Sequence, residues 1–190
     1  MSKVKIALIG IGNAGGYLSN GIYGSNINLW HERVGGLTRK DIEIVGAFDI
    51  DSKKVGKTVR EITGVGPEVE VMPSISYKDE IGREIADRIV INSTESDEFE
   101  KQIKRLSPDI VLNLISSGQD RASLEIAKIS SRNGCSVINA TPTSMISESS
   151  LVSGFKKSRG IIAGDDLQSQ IGGTWLHRVM LMAFRKWGTS

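Results

Sequence analysis

Three observations predict an α/β fold, a doubly wound and mostly parallel sheet of about six strands. Short β-branched runs recur at 4–9, 42–48, 69–72, 109–115, 136–139 and 160–163, each bounded by Gly, Asn, Asp or Ser. Several are continuously apolar rather than alternating, which is the pattern of strands covered on both faces. Helical patterns lie between the runs, and strands that alternate with helices favour parallel crossover connections. The length of 190 residues suits one well-buried domain,. No internal repeat, low-complexity linker or second zone of composition divides the chain.

Taken in order, run 4–9 leads into "GIGNAGG", where an amphipathic helix opens. A long connection, 20–41, separates that helix from the second strand. The stretch 65–95 is the least legible, and one strand with a polar helix is expected there. Residues 97–106 carry Phe99, Ile103 and Leu106 at helical spacing, and 119–132 carry Ala122, Leu124, Ile126, Ala127 and Ile129,. A weaker helix is expected over 149–158. The last segment, 171–187, reads as a helix with Trp175, Leu176, Val179, Met180, Met182, Ala183 and Phe184. An uncovered apolar patch there would favour association with another chain.

Composition narrows the function classes. Hydrophobic residues are 39% and charged residues 24%, with a net charge of +2 and no basic block, so nucleic acid is not the expected partner,. No apolar run approaches the ~20 residues of a membrane helix. The opening "MSKVKIALIG" is too short in its apolar part for a signal peptide and reads as a strand. The cytoplasm is the expected compartment. Cys135, the single cysteine, reads as a buried thiol,. No His/Cys cluster is present, so no metal site is expected; two adjacent aspartates would hold only a loosely hydrated cation.

Chemistry enters at the first turn. Gly10, Gly12 and Gly15 form G-x-G-x-x-G after a strand and at the start of a helix, the context a dinucleotide site requires,. Gly10 permits the tight turn, Gly12 lets a pyrophosphate approach the backbone, and Gly15 lets helix and strand pack closely. The helix N-terminus then offers free N–H groups to phosphate. The chain therefore reads as a single Rossmann-type domain. Asp49 stands where the second run stops; a carboxylate there would accept the adenosine ribose hydroxyls and favour NAD over NADP. The usual gap of about twenty residues from the first glycine is exceeded because of the 20–41 connection. Asp51 is an alternative acid, or the cap of the next helix. Lys53 and Lys54 read as solvated surface, with contact to a 2′-phosphate as the lesser reading.

Ligands of open α/β sheets bind beyond the carboxyl ends of the strands. Those ends carry Ser116, Ser117 and Gly118, then Asn139 and Thr141, then Asp165, Asp166, Gln168 and Ser169. Helix capping is the alternative role for Ser117 and Ser169. His177 reads as a structural residue near the sheet, with a functional role as the lesser reading, and His31 as structural or exposed.

The segments "GIGNAGGYLSNGI", "GGLTRKDIEIVGAFD", "AFDIDSKKVGK", "VINATPT" and above all "GDDLQSQIGGTWLHRV" resemble the inositol-3-phosphate synthases (myo-inositol-1-phosphate synthases), particularly their bacterial and archaeal branch. The resemblance runs from about residue 4 to 188 and covers the first half of a typical member. It implies an NAD-dependent isomerase of inositol and phospholipid biosynthesis. In that family glucose 6-phosphate is oxidised at C5, closed to a ring through an enolate, and reduced again. By position, Gly10, Gly12, Asn13 and Gly15 would hold the pyrophosphate and Asp49 the adenosine ribose. Ser116 and Ser117 would lie along the middle of the cofactor and Asn139 and Thr141 near the nicotinamide. Asp165 and Asp166 would stand at the nicotinamide end, by the substrate or an activating ion.

Two departures qualify the resemblance. Gln168 occupies the place of a family lysine that would stabilise charge or relay a proton as C5 is oxidised. The family's C-terminal catalytic and oligomerisation domain is not in this sequence, so 1–190 is expected to be an NAD-binding domain, impaired or inactive on glucose 6-phosphate alone. A homo-oligomer or a partner chain supplying the missing domain would complete it. Two alternatives stand beside this: a non-catalytic NAD-binding module or subunit, and another NAD-dependent oxidoreductase.

Overall fold

The computed structural model describes residues 3–25, 27, 29, 31–164 and 173–188. Its elements in chain order are β1 (Val4–Ile9), α1 (Asn13–Tyr23), β2 (Arg33–Val34), β3 (Leu37–Thr38), β4 (Ile42–Asp49), α2 (Val59–Thr63), β5 (Val71–Pro73) and α3 (Arg83–Ala86). Then follow α4 (Ser96–Leu106), β6 (Ile110–Asn113), α5 (Asp120–Arg132), β7 (Ser136–Asn139), α6 (Ser149–Ser158), β8 (Ile162–Ala163) and α7 (Gly173–Lys186). Six strands form one parallel sheet in the order β5-β4-β1-β6-β7-β8. Numbered among themselves those strands run 3-2-1-4-5-6, the doubly wound Rossmann order, with its reversal between β1 and β6. The predicted fold class holds.

The continuous apolar runs are explained by burial on both faces. Side chains alternate across a strand, so Ile6 and Leu8 enter one core cluster and Ala7 and Ile9 the other. The first cluster lies against Ile22 of α1 and Val59 of α2. The second lies against Phe99 and Ile103 of α4, Ile126, Ala127 and Ile129 of α5, and Leu151 and Phe155 of α6. Phe48 and Phe99 pack with their rings tilted at 56° and centroids 4.8 Å apart, joining β4 to α4. Cys135 is buried as expected, and burial pushes its thiol up to about 11.

The connection 20–41 contains a two-residue antiparallel hairpin, β2–β3, with Arg33 opposite Thr38 and Val34 opposite Leu37. It is too short to show an alternating pattern. The stretch 65–95 holds β5, a 3-10 turn at Lys78–Glu80 and the single turn α3, in place of one polar helix. From there the chain folds back over the sheet end. Ser52 N–H donates to Val90 O at 2.9 Å, Asn92 N–H to Ile50 O at 2.8 Å, and Thr94 N–H to Ser74 O at 3.0 Å. Residues 90–94 thus form a strap across the carboxyl ends of β4 and β5. Helix α7 forms as predicted, but Leu176, Val179 and Met180 are exposed on it, as is Trp187 just after it. His177 is exposed as well, which corrects its reading as a residue near the sheet. Among the described residues, no helix is long and apolar enough to cross a membrane.

Candidate functional site

The glycine loop joins β1 to α1 and shows three different requirements. Gly10 has φ +96°, and a Cβ on it would lie 2.7 Å from Leu114 O. A Cβ on Gly15 would lie 2.7 Å from Gly10 O. Both are demanded by the fold itself. Around Gly12 nothing lies within 4 Å of the place a Cβ would take. That opening faces the start of α1, which has Gly12 as N-cap, no side-chain cap and no acidic residue in its first turn. Free helical N–H groups beside an open backbone accept an anion. Asn13 borders the same opening and is exposed.

Asp49, at the end of β4, is buried at 7% exposure. Its Oδ1 accepts N–H groups of Ile50 at 2.8 Å and Asp51 at 3.0 Å. Its Oδ2 accepts Ile11 N–H at 2.8 Å and Lys54 Nζ at 2.9 Å. The carboxylate therefore pins the glycine loop to the end of β4. Four donors fill roughly the four lone-pair sites a carboxylate has. Lys54 is half-buried and ion-paired, which corrects its reading as solvated surface. Lys53 is exposed. Asp51 does not cap a helix: Oδ1 accepts Lys53 N–H at 2.9 Å within a turn, and α2 is capped instead by Thr58.

These groups wall a cleft between the ends of β1, β4 and β6 and the stretch around α3. Gly10, Gly12, Asp49, Asp51, Lys54 and Ser116 line its polar side, and Ile85, Ile89 and Ile115 its apolar side. Ser74 closes the back, fully buried, with no partner for its hydroxyl among the described residues. Sequence reasoning missed Ser74, Ile85 and Ile89 because they come from the least legible stretch; "VMPS", a strand stopped by Pro and Ser, was the available signal.

The second group of strand ends is closed. Asn113 Nδ2 donates to Asn139 Oδ1 at 3.0 Å and to Ser123 Oγ at 3.1 Å. Asn139 Nδ2 donates to Thr141 O at 3.0 Å and Thr143 O at 2.9 Å, and its Oδ1 also accepts Thr141 Oγ1 at 2.9 Å. Asn139 and Thr141 are 1% and 2% exposed. The structure places both inside a protein network rather than on a cleft wall. Ser116 and Ser117 are exposed, and Ser116 Oγ accepts Gln119 Nε2 at 3.2 Å. Ser117 does not cap α5: Glu80 does so from outside, accepting Arg121 N–H at 2.7 Å and Ala122 N–H at 3.3 Å. Asp165, Asp166, Gln168 and Ser169 lie outside the described residues.

The chain is 28% identical over 206 residues to the inositol-3-phosphate synthase of Mycobacterium tuberculosis. It is 28% identical over 207 residues to that of Mycolicibacterium smegmatis, and 26% identical over 206 residues to that of Corynebacterium glutamicum. The expected resemblance is borne out. The matches cover 98–99% of this chain and 56–57% of those proteins, so the chain spans about half the length of the curated relatives it matches. No protein-family model matches it. The crystal structure of Ari2 superposes with a TM-score of 0.79 at 20% identity, over 98% of this chain and 59% of that one, and bears out the fold.

Proposed function

We propose that the cleft at the carboxyl ends of β1 and β4 binds NAD, and that the chain forms the cofactor-binding part of an enzyme that isomerises glucose 6-phosphate to inositol 3-phosphate. The open backbone at Gly12 carries this reading. Of the three fingerprint glycines, Gly10 and Gly15 are required by packing, while Gly12 has no internal reason to be glycine; a phosphate has one,. The uncapped α1 N-terminus fits the same group, and the orphaned Ser74 hydroxyl with Ile85 and Ile89 fits an adenosine. When bound, NAD supplies hydride exchange. The chain's own residues supply the pyrophosphate cradle at Gly10, Gly12, Asn13 and Gly15, the carboxylates Asp49 and Asp51 at the ribose, and Ser116 along the cleft. Asp165 and Asp166 follow β8 and are the candidates for the sugar-phosphate end.

Gln168 in place of a lysine favours a second reading, an NAD-binding module or subunit without turnover of its own. One experiment addresses both. Calorimetric titration of the 190-residue chain with NAD is expected to show binding, and glucose 6-phosphate with NAD is expected to yield no inositol phosphate. Absence of NAD binding at millimolar concentration would sink the first reading; inositol phosphate formation would sink the second.

A further inference from the structure

We propose that Lys54 is a phosphate-binding residue of this dinucleotide site, a contact the glycine fingerprint does not supply. The inference rests on the NAD reading above and adds a charged group to it. Lys54 borders both the cleft that holds Asp49, Asp51 and Ser74 and the adjoining opening over Asn13 and Gly16; Gly12 is the other residue the two share. A phosphate at Gly12 therefore has Lys54 as its neighbour. The electrostatics require such a group. Two buried carboxylates, Asp49 and Asp51, face the cleft, and a dinucleotide brings further negative charge. Among the described residues lining the two openings, Lys54 is the one cation.

Its donors are also available. An ammonium has three, and the structure engages one, on Asp49 Oδ2 at 2.9 Å,. Of the four donors on that carboxylate, three are backbone N–H groups that cannot leave without moving the chain. Lys54 is the side chain that can yield Oδ2 to a ribose hydroxyl and turn to a phosphate oxygen. Its side chain is 27% exposed, enough to move and enough shelter to make a charged hydrogen bond count,.

Two dinucleotide phosphates could be the target: the pyrophosphate, common to NAD and NADP, or the 2′-phosphate of NADP. The test titrates NAD, NADP and adenosine into wild type, Lys54→Met and Lys54→Arg, with thermal unfolding to establish that the variants fold. Lys54→Met is expected to weaken NAD roughly tenfold or more, the scale of a charge-assisted hydrogen bond. Adenosine is expected to bind unchanged, and Lys54→Arg to restore most of the loss. A loss confined to NADP still assigns a phosphate to Lys54, but the 2′ one. Unchanged affinity for both dinucleotides overturns the proposal. So does an equal loss of adenosine, which would mean that Lys54 acts only by orienting Asp49. If wild type binds no dinucleotide, the NAD reading falls and takes this proposal with it; wild-type binding indifferent to Lys54→Met fails the proposal alone.

Discussion

Two groups of strand ends in this sheet are written in nearly the same alphabet and built in opposite ways. At β1 and β4, Gly12, Asp51 and Lys54 present backbone and charge to an open cleft. At β6 and β7, Asn113, Asn139, Thr141 and Thr143 turn their polar atoms on one another and are buried. The difference lies in what surrounds them. The β4 end is followed by a turn, 51–56, whose Asp51 and Lys54 line the cleft. The β7 end is followed by a chain that folds straight back, so that its carbonyls become partners for Asn139. Polar residues at a strand end thus mark either a site or a plug, and the following backbone decides which.

Breaking the plug is expected to have the largest effect. Asn139→Ala strands two buried carbonyls, on Thr141 and Thr143, and removes a partner of Asn113. Each buried group left unpaired costs about 1–3 kcal/mol, so a loss of about 3–5 kcal/mol is expected in urea unfolding. NAD affinity measured on the folded fraction should change little; a large selective loss would move Asn139 back to the cofactor. Gly12→Val probes the open side. Its side chain meets empty space in the protein and occupies the place of a phosphate, so stability should hold while NAD affinity falls about a hundredfold or more, about 2.7 kcal/mol,. Retained binding would remove the observation that carries the proposed function.

The smallest effect comes from a pair outside both regions, and it calibrates them. Arg132 donates to Glu100 at 2.7 Å and, with Asn133, holds its carboxyl below the usual value of 4.5. A depressed carboxyl stabilises the fold above its unfolded pKa and loses that contribution as pH falls through the folded one. Wild type should therefore exceed Glu100→Gln slightly in stability at neutral pH, and the gap should close below pH 4.5. Both partners are partly exposed, so the gap is small,.

The sheet was legible because its signals are local: buried parallel strands read as apolar runs and α4 and α5 as amphipathic periods. The glycine loop was legible for the same reason. Lys54 was not, since its pairing with Asp49 depends on how the turn 51–56 closes, and charge in a sequence looks alike whether solvated or paired. The burial of Asn139 and Thr141 depends on contacts with Asn113, twenty-six positions away from Asn139, that no window of sequence displays. Helix α7 taught the converse. Its apolar positions were legible as a helix, and in the structure they are exposed: periodicity reports that a face is apolar and not what covers it,.

The glycine loop is tied down on three sides before any ligand arrives: Gly10 N–H to Phe48 O at 2.7 Å, Ile11 N–H to Asp49 Oδ2 at 2.8 Å, and the Gly15 backbone against Gly10 O. A cradle that already exists sets the tempo of the encounter. Association need not wait for the loop to assemble, so the observed rate should climb in proportion to ligand concentration without a plateau, and differences among ligands should appear in how long each stays.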